Sequence, residues 1–303
     1  MTQYLRDLST LHKEEMDAFL ASFDTVLTDC DGVLWLTDTP LEGSAHVINR
    51  LKELGKKVFL VSNNCTLTLD GFVKKASTFG INVTKDEIIF PTLVAASYLK
   101  EQNFKKKAYV LASSAMKEIL KSNEIMFSND VGPDHAVQTI PDFRKEIHDL
   151  DEDVGAVVID FDMNINYIKL MKAVLHLRDP DCFFIVGGLD VQIPVKDNLN
   201  IIGPGCFIQT VEALSGRKAV VAGKPGLLMK EFISKRYPIN PERTVMIGDT
   251  ISMDMQLGTN CGFQKLLVFS GVATLEDAKK NIANLPHYYL KTLGDLLPIL
   301  PSI

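Results

Sequence analysis

The sequence predicts an α/β protein, a parallel β-sheet core flanked by helices and interrupted by a second α/β domain. Three observations carry that expectation. Short apolar runs rich in β-branched residues recur, and each breaks at polar residues or glycine before a helical pattern begins. The interval from "SNN" at 62 to "GKP" at 223 is roughly 160 residues, whereas one parallel crossover needs about 30. A chain of 303 residues, 46% hydrophobic and 23% charged, suits a globular protein of two domains.

Taken in order, "TVLTD" (25–29) reads as the first strand, and "EGSAHVINRLKELG" (42–55) as a helix closed by glycine. "KVFLVSNN" (57–64) is the next strand. Inside the long interval, "KKAYVLAS" (106–113), "VGAVVID" (154–160) and "CFFIVGG" (182–188) read as strands, with a helix over "NYIKLMKAVLHLRD" (166–179). The insert is therefore set at 104–203, from "EQNFKKK" to the Gly-Pro-Gly turn at 203–205, leaving 1–103 and 204–303 as the two parts of the core. "KAVVAGKP" (218–225), the helix "GLLMKEFISKRY" (226–237), "TVMIGDT" (244–250) and "KLLVFSG" (265–271) then complete that core.

A net charge of −6, from 38 acidic and 32 basic residues, argues against a nucleic-acid partner, which needs a clustered basic surface. The "KKK" run at 105–107 is read as a solvated turn. Five scattered cysteines, with no CxxC pair, suggest neither a disulfide framework nor a zinc site and fit a reducing compartment. No run of eighteen apolar residues appears and the N-terminal stretch is too charged for a signal peptide, so a cytoplasmic protein without a membrane partner is expected.

Four of the strand-like runs end in residues capable of chemistry: Asp29 and Asp31, Ser62 with Asn63, Lys224, and Asp249 with Asp254 a turn later. In an open, Rossmann-like parallel sheet, ligands lie outside the carboxyl ends of the strands, so these residues are expected in one crevice. Carboxylates facing a lysine and a serine suit a hard cation such as Mg²⁺ together with a phosphoryl group. Gly32 would let the backbone approach that group and present amide donors. Asp29 is then placed to attack phosphorus and Asp31 to carry the proton, since crowding two carboxylates raises one apparent pKa.

Other motifs fail on spacing. A calcium loop would need an acid where Leu27 stands, and a nucleotide P-loop would need a glycine where Lys218 stands. "GPGCFI" (203–208) lacks the third glycine of a dinucleotide fingerprint. Cys30, with no histidine near it in sequence, reads as a packed strand-end residue.

"DCDGVLW", "SNN", "GKP" and "GDTISMD", in this order, resemble the four motifs of the haloacid dehalogenase-like phosphatases. Within them the chain is similar to the p-nitrophenyl phosphatase, phosphoglycolate phosphatase and pyridoxal phosphate phosphatase group. The resemblance implies a Mg²⁺-dependent phosphomonoesterase acting on a small phosphorylated metabolite through an aspartyl phosphate. It implies Asp29 as nucleophile, and Asp31 as general acid and base whose carbonyl also meets the metal. Asp249 would be a further ligand, and Asp254 a support for lysine or metal water. Ser62 and Asn63 would hold phosphoryl oxygens, and Lys224 would stabilise nucleophile and phosphate. The insert would be an α/β cap that selects substrate and can pair two copies into a homodimer.

The chain also departs from those relatives. Cys65 and Leu67 follow the second motif where a basic residue is usual, and the cap loop reads "VGGLD" (186–190) where threonine and asparagine are common. Of that loop's usual side chains Asp190 is retained, and Ile193 stands where the pyridoxal phosphate type has histidine. The expected substrate is phosphoglycolate-like or p-nitrophenyl phosphate-like, with pyridoxal phosphate or a phosphoprotein as alternatives. The altered loop also motivates a reading of another class, a catalytically weak metabolite-binding or interaction protein on the same fold.

Overall fold

The computed structural model describes residues 5–134, 137–148, 150–194 and 199–301. The chain divides into two compact units: Met1–Ser62, Leu69–Ile89 and Lys230–Ile303 form the first, Asn63–Thr68 and Phe90–Met229 the second.

The first unit is built on a seven-stranded sheet in the order Arg6–Asp7, Tyr288–Leu290, Gln264–Val268, Thr244–Gly248, Thr25–Thr28, Lys57–Val61, Ile88–Ile89. Every pairing in it is parallel. All four residues of Thr25–Thr28 are buried, as a central parallel strand covered on both faces requires. The helix Ser44–Glu53 buries Val47, Ile48 and Leu51, a single apolar stripe at helical spacing, and they join Val26, Val58 and Val245 in one core. Register decides what the sheet presents. Thr28 pairs with Ile247 on one side and with Leu60 on the other, so Asp29, Asp249 and Ser62 all leave the sheet at its carboxyl edge.

A five-stranded parallel sheet organises the second unit, in the order Val220–Val221, Phe183–Val186, Val154–Ile159, Lys107–Leu111, Met126–Phe127. Its core packs Tyr109, Val157, Ile159, Phe184 and Val186 against Ala173 and Val174 of the helix Tyr167–His176. Gln192–Pro194 and Asn200–Ile202 form a separate antiparallel pair. The Val220–Val221 strand corrects the sequence expectation that "KAVVAGKP" belongs to the first sheet. Two valines encode an extended segment but not its partner, and here Ile185 and Val186 provide one, leaving Val220 at the sheet edge. Val186 is level with both Ile159 and Val221, so Asp160, Gly187 and the segment leading to Lys224 depart from one edge of this second sheet. No helix among the described residues is long and apolar enough to cross a membrane.

Candidate active site

At the carboxyl edge of the first sheet, Asp29, Asp249 and Asp254 converge. Each is buried, and each offers one oxygen within 4.8 Å of the others. Like charges at that spacing in a partly desolvated site repel strongly unless a cation neutralises them. Three oxygen donors from two strand ends and an adjoining turn suit a hard divalent cation such as Mg²⁺, so the donor set fits the metal expected from the sequence.

The backbone fixes each carboxylate. Asp29 Oδ1 accepts from the Cys30 N–H at 2.7 Å, which sets its rotamer at the strand end. Asp254 lies in the π-helical turn Ile251–Met255 and is fully buried; its Oδ2 accepts from the N–H groups of Asp249 (3.1 Å) and Thr250 (3.0 Å). Local π geometry of this kind recurs at functional sites. Asp249 Oδ1 accepts from Thr250 Oγ1 at 3.1 Å and its Oδ2 from the Val272 N–H at 2.8 Å.

Asp31 is half-buried just beyond the strand Thr25–Thr28. Its Oδ1 accepts from the Trp35 indole N–H at 3.0 Å, and Trp35 itself is fully buried, so the ring acts as a fixed clamp on the carboxyl group. Gly32 has φ +88°, a region that favours glycine, and a Cβ there would lie 2.4 Å from Asp249 Oδ2. Its carbonyl accepts from Ser270 Oγ at 2.6 Å. Ser62 is buried directly after Lys57–Val61, and its N–H donates to the Ile89 carbonyl.

Asn63 and Lys224 belong to the second unit, where they clamp each other. The Lys224 N–H donates to Asn63 Oδ1 at 2.7 Å, and Asn63 Nδ2 donates to the Lys224 carbonyl at 3.2 Å. Burial holds the pKa of Asp190 above the ordinary carboxylate value, against the opposing pull of the nearby Lys224 charge and a hydrogen bond with Asn63. Ile193 is on the antiparallel pair, opposite Ile201.

Curated relatives match the chain over nearly its whole length. The chain is 34% identical over 306 residues to a glycerol-3-phosphate phosphatase of Rattus norvegicus, covering 96% of this chain and 95% of that one. It is 34% identical to phosphoglycolate phosphatase 1A, chloroplastic, of Arabidopsis thaliana, covering 96% and 81%. A family model for haloacid dehalogenase-like hydrolases matches residues 26–126, and a second, HAD-hydrolase-like, matches 221–296. This chain belongs to the haloacid dehalogenase-like hydrolases. Within them it is a phosphomonoesterase. The solved 4-nitrophenylphosphatase of Thermotoga maritima superimposes with a TM-score of 0.77 at 26% identity, covering 93% of this chain and 99% of that one.

Sequence reasoning passed over two places that the structure brings against residues it had singled out. One is the segment Ser270–Val272, which anchors Gly32 and Asp249 from the loop after Gln264–Val268. The signal was there in "FSGVAT", a polar and glycine break after an apolar run, like the other strand ends. The segment leaves no room for a side chain: a Cβ on Gly271 would lie 1.8 Å from Asp249 Oδ2. Gly271→Ala is accordingly expected to displace the Asp249 carboxylate and weaken Mg²⁺ activation by about tenfold or more, measured as the Mg²⁺ concentration for half-maximal turnover. The other omission is Asp160, which ends the run "VVID" as Asp29 ends "VLTD".

Proposed function

We propose that the enzyme hydrolyses a small phosphorylated metabolite, phosphoglycolate-like or glycerol phosphate-like, through an aspartyl phosphate formed on Asp29. The observation that carries this reading is the buried convergence of Asp29, Asp249 and Asp254 at one strand edge. Support for the substrate class comes from full-length relatives named for glycerol-3-phosphate and phosphoglycolate. Asp29, Asp249 and the Asp31 carbonyl would hold Mg²⁺, with Asp254 beside them. When bound, the ion neutralises charge on the carboxylates and on the phosphoryl oxygens.

The chain's own residues do the rest. An Asp29 oxygen attacks phosphorus, and the bond from phosphorus to the ester oxygen breaks as that oxygen takes a proton from the Asp31 carboxyl. Water then gives a proton to Asp31 and attacks the phosphorus of the aspartyl phosphate, releasing inorganic phosphate and restoring Asp29. Trp35 holds Asp31 in one orientation through both transfers. Gly32 and Ser62 are assigned to the phosphoryl oxygens with Asn63, and Lys224 supplies the positive charge that offsets the phosphate. Asp190 and Ile193, within the cap set at 104–203, are assigned to substrate selection.

Cytoplasmic residence and pairing of two copies through the cap complete the proposal; five unbridged cysteines support the first. Purified protein with Mg²⁺ is expected to release phosphate from phosphoglycolate, glycerol phosphate and p-nitrophenyl phosphate, and to lose activity with a chelator. Release from none of these, or only from phosphoproteins, overturns the substrate assignment.

A further inference from the structure

We propose that Asp160 is a positioning residue for substrate selection: its buried carboxylate stands where a side chain at 187 would stand and ties the segment Gly187–Asp190 to the turn that carries Asn63. This rests on the reading above that the loop carrying Asp190 takes part in substrate selection.

Asp160 directly follows Val154–Ile159 and is 2% exposed. Its Oδ1 accepts from the Phe161 N–H at 2.6 Å and its Oδ2 from the Gly188 N–H at 3.2 Å. A Cβ built on Gly187 would lie 1.6 Å from that same Oδ2, so the carboxylate fills the side-chain volume that Gly187 lacks. Gly188 repeats the relation with the next carboxylate: a Cβ there would lie 2.6 Å from Asp190 Oδ2 and 3.5 Å from Asn63 Nδ2. The two glycines of "VGGLD" are therefore the ground on which two aspartates stand.

Asp160 has a third neighbour. The Cys65 thiol, buried two residues after Asn63, is hydrogen bonded to it. Burial first, and the adjacent carboxylate second, push that thiol well above its ordinary range, so it stays protonated and donates. One carboxylate thus joins Cys65 on one side to Gly188 on the other. Beyond those two residues stand Asn63 and Asp190, which hydrogen bond to each other.

The carboxyl group also titrates in a useful range. Burial raises it to about 6, against the opposing pull of its two backbone N–H donors and the thiol. The titratable groups facing it are Cys65 from the turn and Asp190 from the loop, and Lys224 faces Asp190 in turn. Below about pH 6 the group takes up a proton and gives up part of its accepting capacity, which loosens the Gly188 contact.

The test uses the full chain with Mg²⁺. Asp160→Ala is expected to raise KM for phosphoglycolate or glycerol phosphate by about five- to tenfold while changing kcat less than about twofold. Asp160→Asn keeps the volume and one acceptor oxygen, so it should recover part of the KM and flatten its pH dependence between 5 and 7. Because the phosphate ester itself titrates near 6, the readout is the difference between wild-type and Asp160→Asn profiles.

Should Asp160→Ala fail to fold, Gly187→Ala decides. It is expected to disrupt the wild type, where the carboxylate occupies the site, and to be tolerated in an Asp160→Gly background. Equal tolerance in both backgrounds, or identical pH profiles, overturns the inference. Asp190→Ala separates the two levels: if it leaves KM unchanged, the substrate-selecting reading of the loop fails. If it raises KM and the Asp160 variants do not, the role of Asp160 alone fails.

Discussion

Asp29→Asn is expected to lower phosphate release by about 10⁴-fold or more, because an amide cannot form the acyl phosphate on which turnover depends. Its effect on stability should have the opposite sign. Asp29 shares a buried cluster with Asp249 and Asp254, and neutralising one of three crowded carboxylates relieves repulsion. The amide oxygen can still accept from the Cys30 N–H, so the strand end keeps its local bond. In chelator the variant should therefore melt at or above the wild-type temperature. Mg²⁺ should stabilise the wild type by binding its folded state and should raise the variant's midpoint less. Thermal melts with and without Mg²⁺, beside a phosphate-release assay, check both halves. Retained turnover removes Asp29 as nucleophile, and a melt far below wild type in chelator removes the repulsion argument.

Asp254→Ala should be the most damaging single change to the cluster's scaffold. The side chain is fully buried, and its Oδ2 collects the N–H groups of Asp249 and Thr250 at the start of the turn Ile251–Met255. Truncation strands both donors. An unsatisfied buried polar group costs about 1–3 kcal/mol, so the loss should total about 2–5 kcal/mol and lower the melting midpoint by about 10 °C. Those same N–H bonds aim the backbone that carries Asp249, so Mg²⁺ affinity should fall by about 10–100-fold as well. Asp254→Asn retains an oxygen that can accept both bonds and should recover most of the stability but not the full metal affinity. Calorimetry with a Mg²⁺ titration distinguishes these outcomes. An alanine variant that melts like the wild type would show that the bonds to Asp249 and Thr250 carry no weight.

Much of the first unit's site was legible because a parallel sheet sends every strand's carboxyl end to the same edge. Asp29, Ser62 and Asp249 could be grouped from that rule alone, and in the sheet Thr28 stands level with Ile247 and Leu60. What escaped was whatever depends on partners distant in sequence. "KAVVAGKP" spells a strand, yet only tertiary pairing with Phe183–Val186 decides which sheet receives it. The part played by Asp254 is fixed by a π-helical turn, a departure from the ordinary helical period that no apolar spacing announces. Val272 reaches Asp249 through a backbone N–H, a contact in which residue type has no say. The glycines at 187 and 188 read as losses when set against relatives, because their neighbour Asp160 lies 27 and 28 positions earlier in the chain.

The pairing of Thr25–Thr28 with Thr244–Gly248 also bears on how the chain is made. While the ribosome is still short of Thr244, the nascent polypeptide lacks three of the seven strands of that sheet, including its middle strand, Thr244–Gly248, a direct neighbour of Thr25–Thr28. All five strands of the other sheet lie between Lys107 and Val221 and are already synthesised by then. Long-range pairing is slow and waits for its partner, so the second unit is set to fold first and the unit bearing the carboxylates last. Translation halted in that window would leave one edge of Thr25–Thr28 bare, an unpaired template for aggregation.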